Sequence, residues 1–142
     1  MPTRGAMTEE SIPDGLYYIQ NVHWLTFLEL PNPRDTSHVV SAKQKKKESQ
    51  WWEVTNLGYD RKVSIKNFAR ANDAKWGLGC QKASTVVRRT EIEDGGIGAT
   101  YTIQPTRIEV YWGLVYGAIH TEVELYALQD SKKNQWYFIP VN

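Results

Sequence analysis

The chain has 142 residues, enough for one domain that hides about two-thirds of its unfolded surface, and no second domain is needed. Seventeen Lys and Arg stand against 16 Asp and Glu, and the net charge of +1 supplies no field that would draw in nucleic acid or an anionic membrane. The single cysteine, Cys80, excludes an intramolecular disulfide, and no run approaches the ~20 apolar residues of a membrane helix.

Positions 1 to 11 are small, polar and charged, with a second methionine at Met7, and read as a disordered leader without the apolar run of a signal peptide. The folded domain is expected over 12–142, in a cytoplasmic or non-classically released protein. Short runs rich in aromatic and β-branched residues follow, punctuated by Gly, Pro, Asn and Asp, which is the pattern of strands and turns. The first strand is Tyr17-Tyr18-Ile19-Gln20-Asn21. Leu30-Pro31-Asn32-Pro33-Arg34-Asp35-Thr36 joins the second and third strands of this first unit. Its prolines fix φ near about −65° and bias their predecessors toward extended geometry, which makes Asn32, Pro33, Arg34 and Asp35 a stiff loop presenting a cation. Ser37-His38-Val39-Val40 comes next. Lys43-Gln44-Lys45-Lys46-Lys47, followed by Glu48, is a solvated hairpin end or a contact for a polyanion. Gln50-Trp51-Trp52-Glu53-Val54 closes the unit.

The pattern then recurs. Val63-Ser64-Ile65-Lys66-Asn67 repeats the first strand, with Ile in the third place and Asn in the fifth, and Ile108-Glu109-Val110-Tyr111-Trp112 follows. Ile19 and Ile65 are 46 positions apart, Ile65 and Val110 45. Ser84-Thr85-Val86-Val87 echoes the run at 37–40, with Thr121-Glu122-Val123 as a third copy. Thr100-Tyr101-Thr102-Ile103-Gln104 and Gln135-Trp136-Tyr137-Phe138-Ile139 echo the closing run. Units of this size cannot bury an apolar face alone and must assemble with their copies. Three units of four strands predict an all-β β-trefoil with pseudo-threefold symmetry, the opening and closing strands forming a barrel and the others capping hairpins. An immunoglobulin-like sandwich is the structural alternative.

Catalytic sets do not assemble from this sequence. His23, His38 and His120 are far apart and lack ligand-spaced partners, so no metal is expected. Cys80 follows Gly77-Leu78-Gly79 with no nearby base and reads as a small buried thiol. Asp94-Gly95-Gly96-Ile97-Gly98 links two strands with no helix behind it, so it is a turn and not a phosphate loop. No cofactor is expected, and the chain reads as a binding protein, not an enzyme.

A rigid, exposed Arg34 is what a standard protease inhibitor needs, because a preformed extended loop avoids the ordering cost of binding. An ordinary stiff turn with Arg34 in water is the other reading. Lys132 and Lys133, in the loop Asp130-Ser131-Lys132-Lys133-Asn134 before the last strand, also present cations, and Asn72 lies in the turn Ala71-Asn72-Asp73-Ala74.

Pro13-Asp14-Gly15-Leu16-Tyr17-Tyr18-Ile19, Trp52-Glu53-Val54 and Val63-Ser64-Ile65-Lys66-Asn67 with Trp76-Gly77 resemble the small β-trefoil proteins of mushrooms. These comprise the mycocypins, which inhibit papain-like cysteine proteases and sometimes legumain, the related trypsin inhibitors and the ricin-B-like lectins. The resemblance implies a reactive Arg at Arg34, or a reactive Lys at Lys132 or Lys133, for trypsin, and Asn72 for legumain. Where mycocypins carry a long papain-binding loop, this sequence has only Asn21-Val22-His23-Trp24. Gln50-Trp51-Trp52 and Asn134-Gln135-Trp136 resemble the Gln-x-Trp of the lectin repeats. The expectation is a monomeric inhibitor of a trypsin-like serine protease, with a legumain or cysteine-protease inhibitor, or a ricin-B-like lectin, as the alternatives; nucleic acid and membrane are not expected partners.

Overall fold

The computed structural model describes residues 12–31, 39–57, 62–70, 85–89, 99–105, 109–128 and 130–141. The strands in chain order are β1 (Gly15–Asn21), β2 (Phe27–Glu29), β3 (Val40–Ala42), β4 (Trp52–Asn56), β5 (Lys62–Asn67), β6 (Thr85–Arg89), β7 (Tyr101–Pro105), β8 (Tyr111–Gly113), β9 (Glu124–Tyr126) and β10 (Trp136–Pro140). Six of them close a barrel in the order β10, β7, β6, β5, β4, β1, with β1 pairing back onto β10. Every pairing is antiparallel. The hairpins β2–β3 and β8–β9 lie outside the barrel ring. This is a β-trefoil.

Alternation drives the barrel strands inward on one face. Trp52 and Val54 of β4 are buried while Glu53 and Thr55 face water, and Val63, Ile65 and Asn67 of β5 are buried between half-buried neighbours. Tyr18 breaks the alternation in β1 because its outer face is also covered. Its ring meets Phe27 edge-on at 5.7 Å, and its hydroxyl donates to the Lys45 carbonyl (3.3 Å). The core joins Ile19, Leu28, Leu30, Ile65, Ile103, Trp52 and Trp136, and it begins at Ile12.

The registers reveal the true repeat. Tyr17 opposes Trp52, Val63 opposes Thr85, and Tyr101 opposes Trp136. Val54 opposes Ile65, Val87 opposes Ile103, and Phe138 opposes Ile19. The opening strands are therefore β1, β5 and β7, and the closing strands β4, β6 and β10. The first two openings match the sequence reading, and its third does not: Ile103 takes the place of Ile19 and Ile65, while Tyr111–Gly113 is the second strand of the third unit. Likewise Val86 lies in a closing strand and Tyr101 in an opening one. Unequal units explain the shift. Tyr17 to Trp52 and Tyr101 to Trp136 each span 35 positions, but Val63 to Thr85 spans 22, so a fixed period drifts past the short middle unit.

Between the first and third units the match is close, at a constant shift of 84 positions. The Trp52 indole N–H donates to the Leu28 carbonyl (3.2 Å), and that of Trp136 to the Trp112 carbonyl (3.0 Å). The Ile-x-Asn signature of the first two openings has a cause as well. Asn21 and Asn67 are fully buried. Asn21 accepts the His23 and Trp24 amides at Oδ1 (3.0 and 2.9 Å) and donates to the Lys133 carbonyl (2.9 Å). Asn67 accepts the Ala69 amide (3.1 Å) and donates to the Ser49 carbonyl (2.8 Å). Each thus turns the chain out of its strand and fastens it to the segment entering a closing strand.

Candidate functional site

The two pseudo-equivalent hairpins have the same frame and different fillings. In the first unit the strand β2 ends on Glu29, whose carboxylate is buried. It accepts from the Ser49 hydroxyl (2.9 Å) and the Gln50 carboxamide (3.3 Å), and the Lys47 ammonium stands 3.9 Å away. Gln50 also spans the next turn, donating to the Lys43 carbonyl and accepting the Lys45 amide, each at 2.8 Å. The Gln50-x-Trp52 pattern is therefore a structural clamp here.

In the third unit Gly113 stands where the first has Glu29, and Asn134 where it has Gln50. Asn134 donates to the Leu128 carbonyl (2.9 Å), which is the matching clamp. A Cβ on Gly113 would run into the Asn134 carboxamide and come within 2.8 Å of the Tyr126 ring. No side chain larger than hydrogen fits between these two groups. Burial pushes the Tyr126 phenol above its ordinary pKa, with the Glu124 carboxylate and Tyr116 adding to the effect. Glu124 and Tyr116 thus each lie within electrostatic reach of Tyr126 on a single hairpin. Tyr116 is 66% exposed and Glu124 faces water, while Tyr126 is half-buried. An aromatic face beside a carboxylate acceptor can hold a ligand that has both C–H surface and hydroxyl donors.

The loop closing this hairpin packs against the first unit. The Trp24 indole N–H donates to the Leu114 carbonyl (3.0 Å), and the ring lies so close on Gly117 that a Cβ there would collide with it. His23 meets the ring edge-on at 4.3 Å. Ser41 of β3 ties down the far end, donating its amide to the Thr121 carbonyl (2.9 Å) and its hydroxyl to the Ala118 carbonyl (3.0 Å), while its own carbonyl accepts the His120 amide (2.7 Å). Leu25 (φ 63°) and His120 (φ 71°) take left-handed backbone in these two loops.

Of the site residues expected from sequence, Asn32, Pro33, Arg34, Asp35 and Asn72 lie outside the described residues. The flanks of the first loop are described: Leu30 and Val39 are buried, the Leu30 amide donates to the Ser49 carbonyl (3.0 Å), and the Val39 carbonyl accepts the Val123 amide (3.0 Å). Lys132 and Lys133 sit in a single 3-10 turn, Lys132–Asn134, capped by the Ser131 hydroxyl. The Lys133 ammonium lies 5.3 Å from the centroid of the Trp24 ring, and its carbonyl accepts from Leu114 and Asn21. This is not the extended backbone a protease reads, and Lys133 is already engaged. Sequence reasoning missed Glu124, Tyr126 and Gly113. The signal was the paired Gln50-x-Trp52 and Asn134-x-Trp136, whose 84-position shift sets Gly113 against Glu29.

No family model matches the chain, and no curated protein matches it significantly. Solved structures do. A designed threefold-symmetric protein, ThreeFoil, superposes with a TM-score of 0.70 at 16% identity, over 90% of this chain and 100% of its own. The Rhizoctonia solani agglutinin gives 0.69 at 21% identity, over 92% and 98%. The Macrolepiota procera ricin B-like lectin, solved in complex with lactose, gives 0.63 at 12% identity, over 92% and 99%. At these identities the likeness establishes the β-trefoil fold.

Proposed function

We propose that this β-trefoil is a carbohydrate-binding protein whose sugar site is the third-unit hairpin, with Tyr126 and Tyr116 as aromatic surfaces and Glu124 as hydroxyl acceptor. The observation that carries this reading is the side-chain set on the third-unit hairpin: the exposed Tyr116, the half-buried Tyr126 and the water-facing Glu124, with Gly113 letting Tyr126 and Asn134 close over the position that Glu29 occupies in the first unit. A pyranose presents an apolar C–H face and a fan of hydroxyls, which are the two surfaces this group complements. That similar folds include an agglutinin and a lactose-bound lectin agrees with the reading.

The test is a neutral-glycan array followed by calorimetry on the best ligand. Glu124→Gln replaces a charged acceptor with a neutral one and is expected to weaken binding by about fivefold, from the ~1 kcal/mol that separates charged from neutral hydrogen bonds at the lower end. Tyr126→Ala is expected to remove detectable binding. Melting of Glu124→Gln should match the parent, because the side chain faces water. A parent that binds no neutral glycan, or a Tyr126→Ala variant that binds as well as the parent, would overturn the assignment.

A second reading has its own support. Leu30 and Val39, which flank the segment carrying Asn32, Pro33, Arg34 and Asp35, are both buried and hydrogen-bonded, and fixed ends of this kind suit the mounting of an inhibitor loop. Inhibition of a trypsin-like protease through Arg34 predicts that Arg34→Ala weakens it at least about tenfold, since the protease's buried carboxylate loses its charged partner. Titration against trypsin, papain and legumain checks this. Equal inhibition by parent and variant would place the reactive residue elsewhere.

A further inference from the structure

Four of the five residues in Lys43–Lys47 are lysines, and all five are exposed. Their main chain is nonetheless fixed. Gln50, fully buried, holds the Lys43 carbonyl and the Lys45 amide through its side chain (2.8 Å each). Its backbone amide donates to the Lys47 carbonyl (2.9 Å), and the Tyr18 hydroxyl donates to that of Lys45 (3.3 Å). The turn thus presents its ammonium groups from a rigid base.

The third unit shows that the fold does not ask for these cations. There the Asn134 side chain holds the Leu128 carbonyl and its amide the Ser131 carbonyl, both at 2.9 Å. The matching five positions in sequence are Ala127-Leu128-Gln129-Asp130-Ser131, with no lysine and one acid, and only two lysines, Lys132 and Lys133, follow them. Gathering four lysines on one turn costs more self-repulsion than the two lysines and one acid of the other unit. A partner that neutralises them removes the cost.

We propose that the turn Lys43–Lys47 is a binding site for a sulfated polysaccharide. Positions 43 to 48 carry no aromatic ring on which a nucleobase could stack and no apolar side chain to enter a bilayer. What remains is a row of ammonium point charges, which suits repeated sulfates on a flexible chain. Lys47 leans toward Glu29 at 3.9 Å, so the contact falls mainly on Lys43, Lys45 and Lys46. This site is independent of the neutral-sugar site on the other hairpin.

Heparin is the probe, titrated against the full chain over a range of NaCl concentrations. Lys45→Gln/Lys46→Gln should weaken binding by about tenfold or more and lower the slope of log affinity against log salt by about two, as two fewer phosphate-like contacts would in nucleic-acid binding. Lys66→Gln/Lys132→Gln removes the same charge elsewhere and should change the affinity less than about twofold. Melting curves confirm that the variants fold. Tyr126→Ala should leave heparin binding intact, so failure of the neutral-sugar reading and failure of this one are told apart. Absence of heparin binding by the parent at low salt, equal loss in the two double variants, or equally tight binding of single-stranded DNA or phosphatidylserine vesicles would each overturn the proposal.

Discussion

Trp52→Ala and Trp136→Ala are each expected to lower the unfolding free energy by about 3–5 kcal/mol, the range for truncating a large core aromatic. Both indoles are fully buried, and both donate N–H to the carbonyl of a residue 24 positions earlier. Truncation therefore leaves a cavity and an unpaired carbonyl together. A closed barrel has little freedom to collapse around the hole, because each closing strand is held on both sides: β4 between β1 and β5, and β10 between β1 and β7. Phenylalanine in the same places restores most of the volume without the N–H, and should recover all but about 1–3 kcal/mol, the cost of a buried acceptor left alone. Urea titration checks both, with the denaturant slope shared by parent and variant so that the midpoint carries the result. An unchanged midpoint in either alanine variant would put that indole outside the core.

The sequence made these tryptophans easy to find, and the comparison shows why other features were hidden. Ile19 with Asn21 and Ile65 with Asn67 stood out because the asparagines do one geometric task, turning the chain and gripping a carbonyl, that few other side chains can do. In the third opening strand Pro105 holds the asparagine position, two places after Ile103, and the cue vanishes. Ile108-Glu109-Val110 then offered the better-looking alternation, since period two is identical in every strand and says nothing about which strand it is. The shorter middle unit completed the error. Site residues were harder still. Glycine at 113 has meaning only when set against Glu29, and that comparison needs the 84-position register. Nothing next to Glu29 in the sequence shows that its carboxylate is buried, because its partners Ser49 and Gln50 lie 20 and 21 positions on.

Glu29→Ala is expected to cost about 2–4 kcal/mol, although a glutamate in an alternating strand would ordinarily be replaced at little cost. Its carboxylate accepts from the Ser49 hydroxyl and the Gln50 carboxamide in a buried setting, and alanine leaves the hydroxyl and one of the two carboxamide N–H groups without an acceptor, with a void beside them, while the other N–H keeps the Lys43 carbonyl. Coulomb attraction is the smaller part: the Lys47 ammonium is 3.9 Å away and its side chain 54% exposed, so water screens it. Glu29→Gln separates the two contributions. The amide oxygen still accepts from Gln50, its N–H group can donate to the Ser49 hydroxyl, and only the charge is lost, so the cost should fall to about 1 kcal/mol. Lys47→Ala, which removes the cation and keeps the carboxylate hydrogen-bonded, should cost less than about 1 kcal/mol. Because Gln50 spans from Glu29 to the Lys43 carbonyl and the Lys45 amide, losing the carboxylate loosens the clamp as well, and amide exchange at Lys45 should rise in Glu29→Ala before the barrel amides respond. Equal destabilisation by Glu29→Gln and Glu29→Ala would show that charge dominates and the hydrogen-bond account is wrong; stability unchanged in Glu29→Ala would mean that the carboxylate is not buried in solution.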